Sequence, residues 1–188
     1  MIEYISKQLT GFIKKYESND DNSEEILLFG SRILVTTLLN WLVVLGIGII
    51  TRQFFGSLIF LISYSVLRGI VGGHHAKSMQ RCFGMSIGMF VVTAIMHPFF
   101  EKNMRELQII VIILAIFVIK YAPLETRQNP MPQKIKRKRK LKSIITVICQ
   151  IIVFSCLKEE NIIYYGFFGV LWCEILFMIG VKEEKRYD

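Results

Sequence analysis

The stretch RGIVGGHHAKSMQRC (68–82) gathers the groups in this chain best suited to covalent chemistry. It holds His74 and His75, two of the chain's three histidines, and Cys82 follows His75 by seven residues. The thiolate is the nucleophilic form of cysteine, and a free thiol is mostly protonated at neutral pH. A neighbouring imidazole can take that proton and later hand it to a departing amine. On one unbroken helix a seven-residue step is two turns, about 10.5 Å of rise, far beyond the ~2.6–3.2 Å that proton transfer needs. A Cys/His pair therefore requires the chain to bend between them, or His75 to sit in a loop that folds back. Gly72 and Gly73, just before the histidines, supply backbone freedom for that bend. Two other readings compete. Zinc could take His74, His75 and Cys82, but adjacent histidines on a helix diverge by about 100° and the segment holds no acid, so no metal is expected. The third reading is a plain polar loop between two helices. Spacing alone does not choose between the pair and the loop.

The remaining cysteines offer no second site. Cys149, Cys156 and Cys173 lie inside apolar runs, where cysteine behaves as a small hydrophobe, and no CxxC or zinc-type spacing occurs. His97, followed by Pro98, falls at the end of an apolar run away from the motif.

The elements that must position the motif are long apolar blocks. Of 188 residues 53% are hydrophobic, and they cluster at 33–51, 54–71, 83–100, 107–122, 143–157 and 161–180. None of the blocks alternates with period 2, so a barrel is not expected. The pattern predicts an all-α, polytopic integral membrane protein, a single domain whose six transmembrane helices occupy 33–180. The fourth and fifth blocks are short against a span of about 20 residues, and must extend through polar flanks or thin the bilayer. No cleavable signal peptide is expected, because the N-terminus mixes charges and the first long apolar run starts far in.

The formal charge of +8 could suggest nucleic acid, but the basic residues lie between apolar blocks, where they set membrane orientation. With the N-terminus inside, nineteen of the 23 basic residues fall on the cytoplasmic side. Only Arg52, Lys102, Arg105 and Lys158 fall outside. This asymmetry predicts six spans with both termini, and the 68–82 motif, at the cytoplasmic face.

Two flanking segments complete the organisation. In residues 1–17 the apolar residues Ile2, Ile5, Leu9, Phe12, Ile13 and Tyr16 share one helical face, with Lys7, Lys14 and Lys15 off it. That suits either an amphipathic interfacial helix or a helix packed on the rest of the protein. The segment 121–142 is expected to be a cytoplasmic basic loop, with Pro123, Pro130 and Pro132 in its first half and a dense basic cluster from Lys134 to Lys142 in its second. The cluster can anchor on anionic lipid or dock an acidic peptide. Nucleic acid is not expected, since no aromatic residues interleave for stacking.

The motif resembles the signature of the accessory gene regulator B (AgrB) family. That signature has an arginine, a small or glycine pair, His-Ala, and a cysteine seven residues after the histidine. Arg68, Gly72, Gly73, His75, Ala76, Ser78 and Cys82 match it here. His-Ala and the seven-residue step single out His75 over His74. YAP (121–123), Asn129-Pro130 and the basic run resemble the family's second cytoplasmic loop. The resemblance implies a cysteine endopeptidase of the bacterial cell membrane that works in quorum sensing. Such an enzyme removes the charged C-terminal tail of a short propeptide with an amphipathic leader, and closes the signal core into a thiolactone or lactone. It implies Cys82 and His75 as catalytic, Arg68, Gly73 and Ser78 as oxyanion or substrate-positioning groups, no cofactor, and a homodimer. Lys134, Lys136, Arg137, Lys138, Arg139 and Lys140 suit the acidic tail.

Two residues carry open roles. Arg68, near the inner end of the second block, could lower the thiol pKa, hold substrate carboxylates or stabilise an oxyanion, or it could be a structural ion pair or a snorkelling anchor. Glu174 is the only acid deep within an apolar block, and could pair with Arg68 or Arg32, or orient His75. The alternative function is a non-enzymatic small transporter or peptide-export component, which should show internal repeats or polar spans. Here no repeat stands out, and the spans hold few polar groups.

Overall fold

The computed structural model describes residues 2–16, 23–72, 79–100, 103–124 and 132–186, with the side chains of 15–16, 23–24, 79–82 and 184–186 outside the description. Seven α-helices and no strands make up these residues: α1 (Ile2–Tyr16), α2 (Ser23–Ile50), α3 (Phe54–Val71), α4 (Met79–Phe100), α5 (Met104–Tyr121), α6 (Gln133–Cys156) and α7 (Glu160–Arg186). Among the described residues, four stretches are long and apolar enough to cross a membrane: Glu25–Ile50, Phe54–Val71, Phe83–Phe100 and Glu160–Glu183. The chain is an all-α membrane protein. Length and composition support four of the six expected spans. α5 carries Arg105, Glu106 and Lys120 within its 18 residues, and α6 spends its first ten residues on a basic run.

That basic run corrects one expectation. Residues 133–142 are not loop but the first turns of α6. Lysine and arginine are good helix formers, and Pro132 sits at the N-cap, where its missing N–H costs the helix nothing.

α7 lies at the centre. Residues 164–170 are buried without interruption, so two full turns are enclosed on every side. Close approach to α3 depends on small residues. A Cβ on Gly169 would lie 2.8 Å from the Phe60 carbonyl oxygen, and one on Gly56 would meet the Tyr165 ring at 2.3 Å. Pairing 56 with 165 and 60–64 with 169 makes α3 and α7 parallel. α4 runs the other way: Tyr164 donates to the Thr93 carbonyl (2.6 Å), Trp172 Nε1 to Thr93 Oγ1 (2.9 Å), and His97 Nε2 meets Asn161 Oδ1 at 2.5 Å. α6 packs against the beginning of α7 with its own end, Phe154 lying on Gly166 and on the Phe167 ring. Midway along, Gln150 Nε2 donates to the Ser63 carbonyl at 3.0 Å. Hydroxyls within the helices bond back one turn, as Ser63 does to Ile59 and Thr93 to Met89, so these polar groups are satisfied without water.

α1 packs on α2 through small polar residues. Ser6 and Thr10 are buried, and Thr10 Oγ1 donates to Ser31 Oγ at 3.1 Å. An Arg32–Glu3 ion pair at 3.0 Å closes the contact. Ile5 and Phe12 of the apolar stripe stay exposed beside this seam. α1 thus packs on a neighbour and still presents an apolar flank.

Candidate functional site

The 68–82 stretch is not one helix. α3 stops at Val71 and α4 starts at Met79. The break is set at Gly72, whose φ of 78° and ψ of −155° lie in a region essentially reserved for glycine. Its N–H still bonds the Arg68 carbonyl at 3.0 Å, closing the last turn of α3. The break lies three residues before His75, so no single helix runs through the whole of 68–82. Gly73, His75 and Ser78 lie outside the described residues. Cys82 falls in the first turn of α4, with its side chain outside the description.

Arg68 stands one turn before the end of α3, half-buried. Its guanidinium lies 5.7 Å from the centre of the Tyr64 ring, a cation–π distance. Arg32 is taken by Glu3, so of the two partners considered for Glu174 it is committed elsewhere. Glu174 is fully buried, and neither carboxylate oxygen has a hydrogen-bond partner among the described residues.

Helix directions decide which groups share an end of the bundle. The N–H of Leu124 donates to the Val71 carbonyl at 3.1 Å, so the end of α5 lies beside the end of α3. The end of α6 lies at the opposite end, by the start of α7, so the start of α6 returns to the motif end. Arg68, Cys82 and the run Lys134, Lys136, Arg137, Lys138, Arg139 and Lys140 therefore share one end. Of the six, all but Lys136 are exposed, and no acid stands in the first turn of α6. The helix N-terminus adds its own partial positive charge to the cluster. His97 sits at the opposite end, its ring edge-on to Tyr164 and stacked on Tyr165. The tie from Leu124 to Val71 joins residues far apart in the chain and was not legible from the sequence.

A family model described as accessory gene regulator B matches residues 6–178. The chain belongs to the accessory gene regulator B family. The AgrB-like protein 2 of Clostridium perfringens is 31% identical, the alignment covering 100% of this chain and 97% of that one. Accessory gene regulator protein B of Staphylococcus epidermidis is 27% identical over 90% of this chain and 89% of its own. That of Staphylococcus haemolyticus is 31% identical over 66% of each. No solved structure matches the chain. Membership gives this AgrB-family protein a role in the accessory gene regulator system of quorum sensing.

Proposed function

We propose that this protein is a membrane-embedded cysteine endopeptidase and cyclase acting on a signal propeptide, with its active site and both termini on the cytoplasmic side of a six-span bundle. His75 takes the proton from Cys82, and the thiolate attacks the carbonyl at the end of the signal core. Arg68, Gly73 and Ser78 line the oxyanion or hold the substrate. As the tetrahedral adduct collapses, His75 protonates the departing amine and the tail leaves. The product is a thioester on Cys82. An internal thiol or hydroxyl of the peptide, its proton passing to the now neutral His75, then attacks that thioester, forming the ring bond and returning the thiolate of Cys82. Water must be kept from the thioester, which suits a site at the membrane boundary. Lys134, Lys136, Arg137, Lys138, Arg139 and Lys140 hold the acidic tail. The homodimer belongs to the same proposal.

One observation carries this reading: in a chain matched by the family across residues 6–178, the helix breaks at Gly72, between Arg68 and the His75–Cys82 step. Co-expression with the cognate propeptide tests it. Cys82→Ala and His75→Ala should each abolish tail removal, a loss of at least ~10³-fold for nucleophilic catalysis. Cleavage persisting in both would sink the mechanism. The transporter reading has one observation of its own, the buried Glu174, since ionisable groups within spans mark ion or substrate pathways. If product export falls in Glu174→Gln while cleavage persists, that second role gains ground.

A further inference from the structure

We propose that the groove between the ends of α5 and α7 holds an anionic phospholipid, an acyl chain along its walls and the phosphate at Lys120 and Lys182. Sequence spacing prepares the groove. Leu114 and Phe117 lie one turn apart on α5, and Ile175, Met178, Ile179 and Lys182 fall on one face of α7 at steps of three and four. These residues line a groove of about 620 Å³. Phe117 and Phe177 meet edge-on at 6.3 Å, so the two helices touch beside it. Among the described residues, Lys182 is the one charge on an otherwise apolar lining. The end of α5 lies beside the end of α3, and α3 runs parallel to α7. Lys120, one turn beyond Phe117, and Lys182 therefore cap the same end of the groove.

The two cations select an anionic lipid over other apolar occupants. The Lys120 ammonium lies 5.4 Å from the centre of the Tyr121 ring, and that ring packs on Phe117 at 4.5 Å. An aromatic ring thus carries the charge beside the α5 wall of the groove. Both lysines are exposed, and among the described residues neither has an ion-pair partner. Glu183, the next residue after Lys182, stands about 100° round α7 from it. Lysines at helix ends keep their stems in the apolar layer and carry the charge to headgroup level, and basic pockets between membrane helices bind anionic headgroups. On the outer face of α5 a lipid tail meets only the exposed isoleucines 109, 112, 113 and 116 of one helix. In the groove it meets two helices, with the half-buried Phe117 and Met178 on its walls. Methionine adapts its shape to such a guest. An acidic peptide would satisfy the lysines but not the apolar walls; a molecule with both an acyl chain and a phosphate meets both. Bound there, it ties the end of α5 to the end of α7, whatever chemistry the 68–82 motif performs.

The test is native mass spectrometry of the full chain released from a neutral detergent, titrated with phosphatidylglycerol or with phosphatidylcholine. The first lipid retained by the parent should be phosphatidylglycerol, bound about tenfold more tightly than phosphatidylcholine. Lys120→Gln/Lys182→Gln should bring that preference to within about twofold. Lys138→Gln/Arg139→Gln removes the same charge from an exposed stretch of α6 and should change the preference less than about twofold. Ile179→Trp narrows the groove and should weaken both lipids about fivefold. Lys120, Lys182 and Ile179 are exposed, so these changes leave the core packing in place. A preference that is missing in the parent, or that survives in Lys120→Gln/Lys182→Gln, overturns the site. A preference lost only in the α6 variant overturns it too and moves the lipid to that cluster. If Ile179→Trp leaves both lipids unaffected, the acyl chain does not lie in the groove and the proposal fails. If it converts a dimer into a monomer with lipid binding unchanged, the occupant is a second copy of the chain and the proposal fails as well.

Discussion

Helices α2 and α7 are both long and apolar, yet they occupy opposite situations. In α7 the most apolar window is 61% buried, in α2 only 22%. Large side chains along α2, such as Leu38, Leu42 and Ile50, remain exposed, whereas in α7 even Glu174 is enclosed. Most of their glycines differ in the same way, the exception being Gly48 at the end of α2, where a Cβ would stand 2.2 Å from Ser57 Oγ. A Cβ on Gly169 or Gly166 collides with α3 or with Phe154, while one on Gly30 or Gly46 meets nothing within 4 Å. In a bilayer, lipid tails are as apolar as leucine, so hydrophobicity does not sort helices into inner and outer. Close packing of small residues does.

The largest test of this contrast is Gly169→Val. Its Cβ alone would stand 2.8 Å from the Phe60 carbonyl and from Ser63 Cβ, and backbone cannot yield as a side chain can. Loss of ~3 kcal/mol or more is expected, read as a collapse of the thermal transition of the detergent-solubilised protein. Gly46→Val, measured alongside, should leave the transition in place; equal damage at both sites would remove the distinction between the helices.

The next effect has the opposite sign. Glu174 is an acid enclosed in α7 without a hydrogen-bond partner among the described residues, which costs stability. Glu174→Leu should stabilise the protein by roughly 1–3 kcal/mol, scored by the denaturation midpoint. A fall in that midpoint would mean that the carboxylate holds the core together.

Smaller still is Thr93→Val, which removes the acceptor of Trp172 Nε1 but leaves the carbonyl that Tyr164 uses. Interhelical hydrogen bonds of this kind are worth about 0.6 kcal/mol in membranes, up to ~1.7. A loss in that range is expected, and a matching Trp172→Phe should add little once Thr93 is gone. Smallest is Gly30→Ala on the exposed side of α2, expected within ~0.5 kcal/mol of the parent in the same assay.

Much of the local structure was legible in the sequence. The block 54–71 coincides with α3, and the ends of the third and fourth blocks fall within one residue of the ends of α4 and α5. α2 and α6 each begin ten residues before their apolar blocks. Hydropathy stops at the first charges, whereas helix propensity does not, and lysine and arginine extend a helix well. At the site, the sequence already pointed to Gly72 and Gly73 as a place of backbone freedom, and α3 ends at its C-cap Gly72. Glu174 could be singled out as a lone buried acid, but its lack of a partner depends on which helices surround it.

The sequence by itself determined where the apolar parts of the helices lie, that the chain suits a bilayer, and that a straight helix through 68–82 could not join His75 to Cys82. Those properties come from the chain's local covalent order: runs of apolar side chains, basic clusters between them, and a fixed rise per residue. Only the tertiary structure decided that α7 is the centre and that Leu124 holds the end of α3. Each of these joins segments separated by tens of residues. Lipid-facing and helix-facing surfaces are equally apolar, so composition carries no trace of such pairings; they follow from which small residues let backbones meet.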